Sequence, residues 1–166
     1  MAYTTGMSFF VEPTSVPKPK TKNIRPVAIG LAVVFVIMVV SQLFTFETFP
    51  VVITAMGLPG GDEMASIRAA LIVTLEVAAL PFLLGMWLSP AMRIVSMVAG
   101  WMVAAAWVTV SVWTNALANN VTNSGLLGDT FTLPVGWWSV LICLGLGALV
   151  AWVSWGMWPV RARRPR

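Results

Sequence analysis

Residues Ser66 to Leu88 read SIRAALIVTLEVAALPFLLGMWL, an apolar stretch long enough to cross a bilayer as one helix. Glu76 stands near its centre. A charged side chain at that depth costs roughly 2.5 kcal/mol or more, so it needs a partner, a proton or a function. The stretch therefore predicts a membrane-spanning helix, with Glu76 as its leading functional candidate.

The composition of the whole chain places it in the same class. Of its 166 residues 58% are hydrophobic and 10% are charged, and the mean hydropathy is +0.87, whereas soluble proteins carry roughly 25% charged residues. Four stretches are long enough to span a membrane, at about 26–46, 66–88, 92–116 and 134–158. We predict an all-α, integral membrane four-helix bundle, flanked by an N-terminal tail at 1–25 and a basic C-terminal tail at 159–166.

The basic residues predict the orientation of these spans. If the helices alternate in direction, every basic residue except Arg68 falls on one side of the membrane. The positive-inside rule assigns that side to the cytoplasm, together with both termini. The basic clusters thus flank membrane spans and face anionic lipid, and no nucleic-acid partner is indicated.

The two connections on the opposite side differ in character. The first, Glu47 to Ala65, contains apolar residues between prolines and predicts a short interfacial or re-entrant piece. The second, Leu117 to Leu133, is polar and rich in asparagine.

Tryptophan and small residues suggest how the helices pack. Most tryptophans fall at span ends, as interfacial aromatic belts require, but Trp101 and Trp107 lie near the middle of the third span. We expect these two to fill the core or face lipid, with stacking against a ligand as the alternative. Close helix contacts are predicted at five small residues, Ser96, Gly100, Ala104, Gly147 and Ala151.

Missing residue types exclude several kinds of site. The chain has no histidine, which argues against bis-histidine haem, facial-triad iron and most zinc sites. Its single cysteine, Cys143, cannot form an intramolecular disulfide or support Cys-x-x-Cys exchange. We therefore predict no metal site, no intrinsic cofactor and no catalytic residues.

Several short motifs together resemble the DoxX-like four-helix membrane proteins, a family allied to the MauE proteins. The motifs are Met56-Gly57-Leu58-Pro59, Thr74-Leu75-Glu76-Val77, the run from Leu80 to Met86, Leu88-Ser89-Pro90, and Arg93. They match the family's Gly-Leu-Pro turn, the glutamate in its second span, its Leu-Leu-Gly exit and the arginine after its tight second loop. The similarity covers about Ile29 to Trp113.

The resemblance implies a left-handed bundle in the bacterial cytoplasmic membrane. For some relatives it also implies association with quinone-linked oxidation or with maturation of periplasmic redox enzymes. This chain lacks the thiol pair or histidine that such chemistry would use. The expected function is therefore a noncatalytic accessory or structural subunit of a larger membrane complex, with lipid and other membrane subunits as its partners.

Glu76 leaves two main hypotheses open. In the structural one it bonds to a neighbouring helix, with Thr74, Ser41, Gln42 or a backbone carbonyl as candidate partners and Arg68 as a possible ion-pair partner. In the other it lines a pocket that binds a quinone or another lipophile and handles a proton, with Trp107 or Trp101 as a stacking wall. Small-molecule transport is a third reading.

Overall fold

The computed structural model describes residues 13–14, 18–117 and 121–158. This part of the chain contains five helices, and we number them α1 (Ile24–Phe44), α2 (Phe49–Ala55), α3 (Gly61–Leu83), α4 (Pro90–Leu117) and α5 (Trp137–Gly156). All except α2 are long and apolar enough to cross a membrane. The predicted all-helical, four-span fold is thereby confirmed, and it indicates a multi-pass membrane protein. Most of the N-terminal tail and the basic tail at 159–166 lie outside the described residues.

The second spanning helix is displaced from its predicted position. The prediction of 66–88 followed hydropathy, but α3 begins at Gly61 and ends at Leu83. Its end is fixed by a Schellman motif: Gly85 has φ +64°, its N–H donates to the Phe82 carbonyl at 3.1 Å, and the Met86 N–H donates to the Pro81 carbonyl at 2.9 Å. Its start includes two acidic residues in the first turn, which the positive end of the helix dipole favours. The other three spans differ from prediction by three residues or fewer at each end.

Helix α3 lies at the centre of the packing, in contact with α1, α2 and α4, while α5 packs on α4 and α1. Three of the predicted small residues, Ser96, Gly100 and Ala104, are buried on α4. A methyl group placed on Gly100 would lie 3.6 Å from the Ala79 Cβ of α3 and 3.8 Å from Val150 Cγ1 of α5. The stripe therefore faces both neighbouring helices, as small residues at membrane helix contacts do. Gly147 and Ala151 on α5 are only half-buried.

One end of the bundle is closed by two segments that we call the cap: α2 and residues 121–133. Helix α2 buries Phe49 and Ile53, in agreement with the short apolar piece predicted there. The second segment was predicted only as a polar connection, yet residues 123–126 and Gly128 are buried. Their burial places loop backbone against the ends of the helices, so its polar groups must be satisfied by protein.

At the opposite end the two described ends of the chain meet. The Lys20 N–H donates to the Gly156 carbonyl at 3.1 Å, and the Lys20 ammonium lies 4.3 Å from the centre of the Trp155 ring. Thr14 forms an isolated antiparallel bridge with Leu88. Thr14 and Lys20, which belong to the predicted N-terminal tail, therefore lie against the bundle.

Candidate functional site

Glu76 is fully buried and accepts two side-chain hydrogen bonds at one oxygen. Its Oε1 receives the indole N–H of Trp107 on α4 at 2.9 Å and the amide Nε2 of Gln42 on α1 at 3.2 Å. Gln42 Nε2 also donates to the Leu126 carbonyl of the cap at 3.1 Å. One carboxylate thus links three spanning helices and, through Gln42, the cap. We call Glu76, Gln42, Trp107 and the Leu126 carbonyl the Glu76 network.

Helices α1 and α3 are offset along their axes where Gln42 meets Glu76. Glu76 lies about 22 Å along the axis from the first residue of α3, whereas Gln42 lies only about 3 Å from the last residue of α1. Helix α3 therefore projects well past α1 toward the cap, and α2 packs against α3. The carboxylate that the sequence placed near mid-span accordingly meets the end of α1 and a loop carbonyl.

The cap is fastened by its own hydrogen bonds close to Gln42. The Asp129 N–H donates to Thr45 Oγ1 at 3.1 Å, and Thr130 Oγ1 donates to the Ser41 carbonyl at 2.9 Å. Within the loop, Asn123 Nδ2 donates to the Gly128 carbonyl at 3.0 Å. These bonds hold the Leu126 carbonyl where Gln42 can reach it.

Two acceptors of the Glu76 network lack a partner among the described residues: Glu76 Oε2 and Gln42 Oε1 are both buried without a hydrogen bond. Buried acceptors are usually satisfied, so these atoms mark where a proton, a water molecule or a ligand donor would bind. Glu76 does not line the pocket of ≈ 370 Å³ found at the cap, which lies between α2 and residues 121–132.

The structure brings together some of the predicted site residues and separates others. Trp107 was expected to fill the core or face lipid, with ligand stacking as the alternative; it is fully buried and donates its indole N–H to Glu76. Trp101 is 44% exposed and donates to Ser154 Oγ of α5 at 3.1 Å, away from Glu76. The Arg68 guanidinium donates to the Pro59 carbonyl, so the ion pair with Glu76 does not form.

Of the partners predicted for Glu76, only Gln42 is realised. Thr74 Oγ1 instead donates to the Ala70 carbonyl one turn back on its own exposed face, at 2.7 Å. The Ser41 side chain is buried, and its carbonyl accepts from Thr45 and Thr130. Helix phase explains the selection, because consecutive residues such as Ser41 and Gln42 point about 100° apart.

Ser96 was predicted only as a small packing residue, but its hydroxyl also forms two hydrogen bonds to the backbone of α3. Its hydroxyl donates to the Ala78 carbonyl at 2.6 Å and accepts the Phe82 N–H at 3.0 Å. These two backbone groups would normally bond to each other in α3. The hydroxyl of α4 thus bonds to both of these groups beside Pro81, where the helix already lacks an N–H donor.

Arg93 was counted among the basic residues that predict the orientation; it lies in the first turn of α4 and is only 6% exposed. Its Nη2 donates to the Thr14 carbonyl at 3.0 Å and lies 3.4 Å from the Leu88 carbonyl. The guanidinium therefore fixes the N-terminal segment to the connection between α3 and α4. An arginine three residues after the Ser89-Pro90 helix start gave no sequence signal for this contact.

Comparison with known proteins gives no family assignment. No family model, curated protein or solved structure matches the chain. Within the described residues, no group of three or more His, Cys, Asp or Glu side chains could hold a metal ion.

Proposed function

We propose that this protein is a noncatalytic accessory or structural subunit of a larger membrane complex, allied to the DoxX-like proteins. In this proposal the chain resides in the bacterial cytoplasmic membrane with both termini in the cytoplasm, and its partners are lipid and other membrane subunits. The proposal extends the motif resemblance and the placement of the basic residues to the protein's role.

One observation supports a structural role. Glu76, the side chain that is most unfavourable in a membrane, accepts its hydrogen bonds from side chains of this same chain. Both donors that reach Glu76 come from spanning helices of the same chain, and one of them also holds the cap. Hydrogen bonds between membrane helices contribute on average about 0.6 kcal/mol and at most about 1.7 kcal/mol. A shared acceptor joining three helices is suited to fixing one bundle geometry, which a subunit needs to present a constant surface.

One specific observation favours the alternative in which the protein binds a lipophile. Glu76 Oε2 and Gln42 Oε1 are buried acceptors without donors in the described part of the chain. A bound quinol or a transferable proton would supply such a donor. In that case Glu76→Gln would leave the fold intact and remove binding or a pH-dependent activity.

The decisive experiment is purification of the tagged protein from its native membrane in nanodiscs, followed by mass spectrometry of copurifying proteins, lipids and quinones. The proposal expects a stoichiometric set of membrane subunits that is retained with Glu76→Gln and reduced with Glu76→Leu. Glutamine keeps an acceptor for Trp107 and Gln42, whereas leucine keeps none. A solitary protein that carries a quinone, lost in the Glu76→Gln variant, would replace the accessory role with the lipophile-binding one.

A further inference from the structure

The pocket at the cap has one apolar wall and one polar wall. It measures ≈ 370 Å³ and opens between α2 and the second cap segment. Val51, Val52 and Ala55 of α2 and the N-cap residue Thr48 line it; they recur at intervals of three and four residues and so form one helix face. The opposite face of α2 buries Phe49 and Ile53 in the bundle. Burial of Phe49 and Ile53 therefore fixes the position of the pocket wall that α2 supplies.

Among the described residues, the polar wall contains a single ionisable group. Asp129 is exposed, and no other described residue that lines the pocket is charged. Its backbone N–H is fixed by Thr45, and within the described residues its carboxylate has no hydrogen bond or ion pair. The carboxylate thus stands at a position set by the backbone, with its oxygens available to a ligand.

Acidic residues lie on either side of α2 along the chain. Glu47 precedes α2, Asp62 and Glu63 lie in the first turn of α3, and Arg68 of α3 donates to the Pro59 carbonyl. Fields of one sign concentrate ions of the opposite sign in clefts. The cap end therefore favours a cation over a neutral molecule or an anion.

From this arrangement we infer that the pocket binds a small amphipathic amine, with its ammonium against Asp129 and its apolar body against Val51, Val52 and Ala55. The volume lies at the lower end of the range for small-molecule pockets, about 300–1,000 Å³, which suits one compact ligand. A primary ammonium of this kind is carried by free amines and by ethanolamine lipid headgroups alike. This inference is independent of the function proposed for the Glu76 network.

The test uses 4-phenylbutylamine as the probe, with the intact protein in phosphatidylcholine nanodiscs. Binding is followed by ligand-observed NMR, and the signal from empty nanodiscs is subtracted. We expect saturable binding of the amine, weaker binding of 4-phenylbutanol and none of 4-phenylbutyrate. Asp129→Asn should weaken amine binding by about two- to fivefold, the upper part of the range for loss of one exposed ion pair.

Two further variants separate the pocket from general effects. Asp62→Asn removes an equal charge from the same end of the molecule without altering the lining, so it should change the affinity less than Asp129→Asn. Ala55→Phe should fill the apolar end and abolish binding, while size-exclusion profiles and helical circular dichroism confirm that each variant is folded. Absence of saturable binding, equal affinity for the alcohol and the amine, or equal affinity in wild type and Asp129→Asn would overturn the inference.

A second titration identifies the source of the ammonium. It is carried out in nanodiscs that contain phosphatidylethanolamine. Competition by the lipid would assign the site to its headgroup. Undiminished probe binding would assign it to a free amine that enters from solution. Either result supports an ammonium site.

Discussion

Replacing Glu76 with leucine tests whether the Glu76 network stabilises the bundle. The substitution removes the acceptor of two donors that are fully buried. Trp107 loses its hydrogen bond altogether, whereas Gln42 keeps the Leu126 carbonyl. Leaving one buried N–H unsatisfied costs about 1–3 kcal/mol. Removal of the unpartnered Oε2 offsets part of that penalty, so we expect a net loss of about 1–2 kcal/mol.

The expected loss is measurable as a shift in thermal stability. At about 2–4 °C per kcal/mol for a chain of this size, the unfolding midpoint of Glu76→Leu should fall by about 2–8 °C. Helical circular dichroism of purified protein in nanodiscs follows the transition. Glu76→Gln serves as the matched control, since its side-chain oxygen can still accept from Trp107 and Gln42. We expect its midpoint to fall by less than half as much.

A double-mutant cycle with Trp107→Phe isolates the hydrogen bond from the volume changes. Phenylalanine removes the indole N–H, so Glu76→Leu should be less damaging in that background than in the wild type. The coupling free energy should be about 0.5–2 kcal/mol. A Glu76→Leu protein as stable as wild type, or strictly additive effects of the two substitutions, would refute a stabilising role for the network.

Three other substitutions test the packing and the terminal contacts. Ser96→Ala removes the hydroxyl that bonds to the Ala78 carbonyl and the Phe82 N–H, so the unfolding midpoint should fall by an amount equivalent to about 1–2 kcal/mol. Gly100→Ala should be tolerated, because its added methyl makes only ordinary contacts, whereas Gly100→Leu should lower the midpoint by an amount equivalent to about 1–3 kcal/mol through overpacking. Arg93→Gln should release the segment around Thr14, and hydrogen–deuterium exchange should rise there without a change near Glu76.

Hydropathy was sufficient for the fold class but not for helix boundaries. Four long apolar stretches predicted four spanning helices because a bilayer requires every backbone group to bond within its own segment. The span predicted at 66–88 nevertheless lies at Gly61–Leu83, since a helix end is decided by local backbone geometry. Apolar residues continue past that end as far as Leu88, and hydropathy cannot distinguish them from helix.

The sequence also identified Glu76, because a carboxylate inside an apolar stretch is unfavourable wherever the helix packs. The sequence offered several candidate partners for Glu76 without ranking them. The axial offset and rotation of α1, α3 and α4 bring Gln42 and Trp107 to it. Those quantities depend on long-range packing, as do the burial of residues 123–126 in the cap and the contact of Arg93 with Thr14. The amino-acid sequence alone thus determined which segments are helical and which buried group needs a partner. Only the tertiary structure decided which groups meet, because hydrogen bonds of a few ångströms depend on how whole helices are placed.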